Sequence, residues 1–158
     1  MPIALLDYGA GNLTSVRKGF AAAGAELFTP RRPSELEGAS AVVVPGVGHF
    51  AATSALSADW KAAICKALAA GRPLLGICLG LQWLYDGSDE SPQVPGLGVI
   101  RGTCTRLAAS PPLKVPHVGW NSLAPTRPSP LLAGVEPGAT VYFTHTFAAP
   151  VTSECVAT

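Results

Sequence analysis

The stretch "PLLGICLGLQWL", residues 73–84, decides the fold. Leu74–Ile77 form a short continuous apolar run of the kind that is buried on both faces of a parallel sheet. Cys78 stands between Gly76 and Gly80, and an apolar helical pattern begins directly after it. A strand that feeds a helix through G-x-C-x-G is the thiol counterpart of the G-x-S-x-G nucleophile elbow. Such a sharp turn leaves no room for Cβ atoms on either side of the nucleophile. A helix starting at Leu79 aims its first N–H groups at the sulfur, and those dipoles favour the attacking thiolate. A cysteine packed as a small hydrophobe is the competing reading of the same residues.

Working outward, the first half alternates strand and helix patterns. "IALLD" (3–7) is a short apolar run. "NLTSVRKGFAAAG" (12–24) carries Leu13, Val16 and Phe20 on one helical face, with Asn12 as N-cap and Gly24 as stop. "AELF" (25–28) and "AVVVP" (41–45) read as strands, and "SELEG" (34–38) as a short helical turn. Residues 54–70 predict a helix with a buried stripe of Leu56, Trp60, Ile64 and Leu68. Buried strands alternating with helices predict an α/β fold, an open, mostly parallel sheet with helices on both faces. From residue 92 the pattern changes to short β-like pieces, "GLGVIRG", "CTRLA", "LKVPHVGW", "TVYFTHTF" and "SECVAT", read as additional, partly antiparallel strands. A proline-rich connection spans 123–139, with a helical turn at "PLLAG". The expectation is one domain over residues 1–158.

Composition narrows the function classes. Hydrophobic residues make up 48% and charged residues 13%, a globular balance, and the net charge of +1 argues against nonspecific nucleic-acid or acidic-lipid binding. No run is long enough to span a membrane, and "MPIALLDYGAG" has no signal-peptide pattern, so a cytoplasmic location is expected. Cys65, Cys78, Cys104 and Cys155 form no C-x-x-C pair and have no histidine at ligand spacing. No metal and no cofactor is expected, and the thiols should be free.

Two further loops fall at the C-terminal edge of the sheet, where open α/β folds bind ligands. In "VVVPGVGHF" (42–50), Gly46 and Gly48 allow the backbone N–H groups of Val47 and Gly48 to turn inward. With the N–H of Leu79 they can form an oxyanion hole, in which one donor is worth about 3 kcal/mol of barrier. "DYGAGN" (7–12) matches neither G-x-G-x-x-G nor a Walker loop and reads as a tight strand-to-helix connection beside the same site.

Taken together, "DYGAGN" (7–12), "PGVGHF" (45–50), "GICLGLQ" (76–82), "PHVGWN" (116–121) and "YFTHTF" (142–147) resemble the class I, triad-type glutamine amidotransferases, which have a flavodoxin-like core. Within that family they resemble the branch of glutaminase subunits of imidazole glycerol phosphate synthase. The resemblance implies hydrolysis of L-glutamine through a thioester on Cys78. It places Gly46, Gly48, Gln82, His145, Thr146 and Phe147 against the substrate. It implies a (βα)₈-barrel cyclase partner met by Asn12, His117, Trp120 and Asn121. "HTF" (145–147) stands where the family usually has a His-Ser-Tyr type of motif, and Leu81 replaces a common methionine. The family completes its triad with a His-x-Glu segment near the C-terminus. The only histidines here, His49, His117 and His145, all fall inside other motifs. Relative to the family the domain therefore reads as incomplete, and these residues alone are expected to hydrolyse glutamine negligibly, because nucleophile and base act as a unit. The alternative is a noncatalytic module of the same fold that docks on a synthase barrel.

Overall fold

The computed structural model describes residues 1–109 and 114–158. Packing gathers into two compact units, Met1–Thr103 and Cys104–Thr158.

Four parallel strands organise the first unit: β1 (Ile3–Leu5), β2 (Leu27–Phe28), β3 (Val42–Val44) and β4 (Leu74–Gly76), in the order β2-β1-β3-β4. The registers Ala4↔Val42 and Val43↔Leu75 align them across the sheet. α1 (Leu13–Ala22) joins β1 to β2, and α2 (Ala58–Ala69) joins β3 to β4. These connections run in opposite directions along the sheet, so right-handed crossovers put the two helices on opposite faces. The pivot between β1 and β3 is the switch point at which open sheets form clefts.

The core gathers on one face. Ala4, Leu6, Val42 and Val44 pack with Leu36, Phe50, Leu56, Ile64, Leu79 and Trp83, all at most 3% exposed. Local chemistry sets the helix limits. The Asn12 side chain accepts the Ser15 N–H at 3.1 Å, and Gly24 follows the last turn at φ +73°. "SELEG" becomes a 3₁₀ turn, Pro33–Gly38, containing the buried Leu36. The single helix predicted over 54–70 is two pieces. A 3₁₀ turn over Phe50–Ala55 closes at Leu56, and α2 restarts after Ser57, whose carbonyl accepts the Lys61 N–H at 3.0 Å.

α3 (Leu79–Trp83) is only five residues long, and a strand β5 (Gly87–Ser88) follows. "GLGVIRG", predicted as a strand, is irregular for a specific reason: its N–H groups are committed to the end of α3. Leu97 donates to the Trp83 carbonyl at 2.6 Å, Gly98 to Tyr85 at 3.0 Å, and Val99 and Ile100 both to Leu84 at 3.0 Å. The segment thus satisfies carbonyls that a helix terminus leaves open.

In the second unit, β6 (Thr103–Arg106) pairs antiparallel with β9 (Phe147–Ala148) through Thr105↔Ala148 and Arg106↔Phe147. β7 (His117–Ser122) and β8 (Thr140–His145) form an antiparallel ribbon with His117 opposite His145 and Trp120 opposite Tyr142. The strand piece predicted at "LKVPHVGW" begins with Leu113, outside the described residues; its described part enters β7 at His117. "PLLAG" supplies the expected turn, Pro130–Leu132. "SECVAT" contributes a single bridge, Ala157 to Pro125, not a strand.

Gly19 lies inside α1, and a methyl group there would meet nothing within 4 Å. Gly19→Ala is therefore expected to raise the unfolding free energy by about 0.5–1 kcal/mol, read from the urea midpoint at unchanged slope.

Candidate active site

β4 ends at Gly76, and the chain reverses into α3 within two residues. Cys78 occupies the corner with φ +53° and ψ −110° and is the only non-glycine residue at positive φ among those described. A side chain held there stores about 1–3 kcal/mol of backbone strain. The turn survives because its flanks are wedged. A Cβ on Gly80 would collide with the carbonyl oxygen of Val44, the last residue of β3. A Cβ on Gly46 would strike the Tyr8 hydroxyl and lie 2.7 Å from Leu79 Cβ and 2.9 Å from the Gly80 nitrogen. The first turn of α3 therefore sits directly on the end of β3, with the Gly46 loop against it. Cys78 is exposed, whereas Leu79 and Gly80 behind it are buried.

The elbow and the loop after β3 thus meet at one sheet edge. Pro45 and Gly46 are buried, while Val47, Gly48 and His49 are exposed. Among the described residues, the N–H groups of Leu79, Val47 and Gly48 donate no hydrogen bond that would compete for them. These are the three groups predicted to form the oxyanion hole. Gln82 lies on α3 one turn beyond Cys78, half-buried.

Sequence reasoning missed Tyr8. Its hydroxyl bridges the switch point, donating to the Pro45 carbonyl at 2.7 Å. Burial, and then electrostatic interaction with Cys78, push its pKa up to about 12, so it stays a donor across any working pH. The available signal was position: Tyr8 follows β1 at the same sheet edge as the other two loops.

Asn12, predicted at a partner interface, caps α1 in this structure. The remaining predicted residues belong to the second unit. There the Phe147 carbonyl can only accept, so His145 Nδ1, 3.0 Å away, carries the proton. In neutral His145 the Nε2 atom then accepts from His117 Nδ1, also at 3.0 Å. His117 stacks on Phe143 with ring centroids 4.9 Å apart. This relay fixes the backbone around Thr146 from the strand opposite. Trp120 is 71% exposed and meets Tyr142 edge-on at 5.6 Å, so it is not a core aromatic. Asn121 folds its side chain onto the next N–H, that of Ser122, at 2.9 Å.

Of the other thiols, Cys104 is buried and pushed up to about 11 by that burial, which disfavours its thiolate. Cys65 is exposed and Cys155 half-buried. Neither stands at a strained turn.

The family profile Glutamine amidotransferase class-I matches residues 4–157. The chain belongs to that family. Among curated proteins it is 43% identical over 151 residues to "Imidazole glycerol phosphate synthase subunit HisH" of Deinococcus radiodurans, covering 94% of this chain and 70% of that one. The protein of the same name from Thermococcus kodakarensis is 44% identical, with 92% and 70% covered. That from Xylella fastidiosa is 43% identical, with 98% and 76% covered. A solved structure, "Crystal structure of glutamine amidotransferase", superposes with a TM-score of 0.75 over 99% of this chain and 79% of that one. At 18% identity that likeness speaks for the amidotransferase fold alone.

The strained corner makes a quantitative prediction. Cys78→Gly should raise the unfolding free energy by about 1 kcal/mol, since glycine accepts positive φ without cost. Gly80→Ala should lower it by about 3 kcal/mol, because the added methyl meets backbone rather than a movable side chain. Urea denaturation of the two variants beside the parent protein checks both signs.

Proposed function

We propose that this amidotransferase-family chain is the glutaminase subunit of an imidazole glycerol phosphate synthase and supplies ammonia for histidine biosynthesis. The observation that carries the reading is Cys78, exposed at a strained strand-to-helix corner against a glycine loop with uncommitted N–H groups. The identity with HisH proteins across most of the chain gives the branch.

In this reading Cys78 Sγ attacks the side-chain amide carbon of L-glutamine. The carbonyl oxygen gains negative charge, which the N–H of Leu79 and those of Val47 and Gly48 stabilise. The tetrahedral intermediate collapses with loss of ammonia, the amide nitrogen taking up as it leaves the proton that the Cys78 thiol gave up, and a γ-glutamyl thioester remains. Water adds to that thioester and releases glutamate and the thiol. Gln82 and Gly46 hold the amino-acid end of the substrate. In the other unit the His117–His145 relay holds the Phe147 carbonyl.

The partner is a (βα)₈-barrel cyclase subunit that consumes the ammonia. Exposed Trp120, with His117 and Asn121 on the same strand, faces it, since large exposed aromatics serve as interface anchors. Neither nucleic acid nor membrane enters this reading, and its setting is the cytoplasm. Among the described residues no helix is long and apolar enough to cross a membrane.

The test is covalent labelling with the glutamine analogue 6-diazo-5-oxo-norleucine, followed by peptide mass mapping. Label is expected on Cys78 alone, blocked by excess glutamine and absent in Cys78→Ala. Label spread equally over Cys65 and Cys78, or insensitive to glutamine, would overturn the glutaminase reading and favour a noncatalytic docking module.

A further inference from the structure

β7 and β8 form a two-stranded sheet of their own, and a ribbon of two strands is marginal unless its side chains hold it together. Its two sides differ in chemistry. Side chains alternate along each strand, so Val118, Trp120 and Tyr142 share the outer side, at 56%, 71% and 55% exposure. His117, Phe143 and His145 share the opposite side and are half-buried.

On that side His117 Nδ1 lies 3.0 Å from His145 Nε2, and His145 Nδ1 lies 3.0 Å from the Phe147 carbonyl. His145 spends its Nδ1 proton on that carbonyl, which only accepts, and keeps Nε2 as an acceptor. His117 can take a further proton on Nε2 and still donate through Nδ1, so a pair with one positive charge keeps the contact. A second proton has one place left, His145 Nε2. There N–H would face N–H between two cationic rings whose centroids are 5.2 Å apart.

Among the described residues, no carboxylate on the surrounding strands offsets that second charge. β7, β8 and β9 contain no Asp, Glu, Lys or Arg, and their other titratable group, Tyr142, is on the outer side. β6 brings Arg106, in register with Phe147, and Cys104, kept a neutral thiol by burial. Lys114, ahead of β7, is exposed. Glu136, Arg127 and Glu154 attach at the ribbon's other end, beyond Ser122 and Thr140.

We propose that His117 and His145 form a proton-sensitive latch that closes this end of the β7–β8 ribbon. Neutral or carrying one extra proton, the pair holds the strands together; carrying two, it lets them part. The closed ribbon binds fewer protons than the parted one, so it loses stability as pH falls. Histidine is the side chain whose charge changes between about pH 5 and 8, which puts the device within the range a cell can reach. Trp120 and Tyr142 ride on the same two strands, so the latch also governs whether their edge-on contact presents one fixed surface. That last step rests on the reading of this surface as the face toward the cyclase; the latch itself does not.

The test follows the full chain from about pH 8 to about pH 5 by imidazole nitrogen NMR and by amide hydrogen exchange, each amide corrected for its intrinsic rate. Protection in β7 and β8 should fall about tenfold as the second imidazole charges, while that in β1 and β3 stays within about threefold. In His117→Asn the side-chain amide can donate to neutral His145 or turn and accept from charged His145. Ribbon protection in that variant should therefore change less than about threefold over the same range. Protection that survives two charged rings, or that falls equally in His117→Asn or in β1 and β3, overturns the proposal. So does a pair that refuses its second proton down to about pH 5, and the parent protein decides that point without any variant. Binding of the (βα)₈-barrel cyclase subunit at the two ends of the range tests the partner step. Its affinity should fall with the ribbon's protection in the parent protein and hold in His117→Asn. An affinity that stays constant while the ribbon opens, or no binding at either pH, overturns the partner reading of this face by itself, and the exchange data still decide the latch.

Discussion

The contact on which the rest of the sheet edge depends is the close approach of α3 to the end of β3. Gly80 lies against the Val44 carbonyl with no space for one more carbon atom. That approach forces the chain to reverse between Gly76 and Leu79, and the reversal puts Cys78 at positive φ with its side chain facing solvent. Had Gly80 carried a side chain, α3 would ride higher, the turn would relax, and the thiol would lose its fixed place beside the Gly46 loop. The strain is sustained from behind by Leu79 and Trp83, at 1% and 0% exposure among the best buried side chains of the core. Packing energy from the apolar face thus holds a conformation the local backbone disfavours.

A helix of five residues is a poor element by itself, since nucleation uses most of what so few hydrogen bonds can return. α3 is sustained by its surroundings at both ends. Its N-terminal end abuts β3, and the carbonyls of Trp83, Leu84 and Tyr85 are taken by the N–H groups of Leu97–Ile100. Asp86 extends this support, accepting the Gly102 N–H at 2.8 Å through its side chain and the Gly96 N–H at 2.9 Å through its backbone. The loop after α3 accordingly belongs to the elbow's support, and Glu90, reaching Phe50 from that loop, belongs to it as well.

This explains which parts of the molecule could be read from sequence. The strands, the Asn12 cap and the elbow were legible because each is set by neighbours within a few residues: an apolar run, a side-chain oxygen at a helix start, two glycines flanking a cysteine. The family could be read for the same reason, from motifs of six or seven residues. "GLGVIRG" was read as a strand because it is a short β-like piece punctuated by glycines. Its hydrogen bonds go to carbonyls ten or more residues upstream, and the local pattern carries no trace of that. Tyr8 and Glu90 were missed on the same ground, since each acts on a group about 40 positions away. Trp120 was expected at a surface that meets a partner, and it is exposed.

The candidate site has two mechanical halves. The corner is rigid: the angle of Cys78 is fixed by strain and its backing by core. The loop opposite is adjustable, since among the described residues the N–H groups of Val47 and Gly48 have no hydrogen bond to break before they turn. An oxyanion hole gives its full benefit when its dipoles are preorganised, so an adjustable one loses rate whenever it faces away. Such a loss is useful where the product is a small, diffusible amine and release without an acceptor is waste. A nucleophile kept ready beside a donor loop that can be out of register gives an enzyme an idle state without unfolding anything. A signal that favours one loop orientation by about 3 kcal/mol then changes the rate by about a hundredfold while the thiol stays where the strained corner holds it.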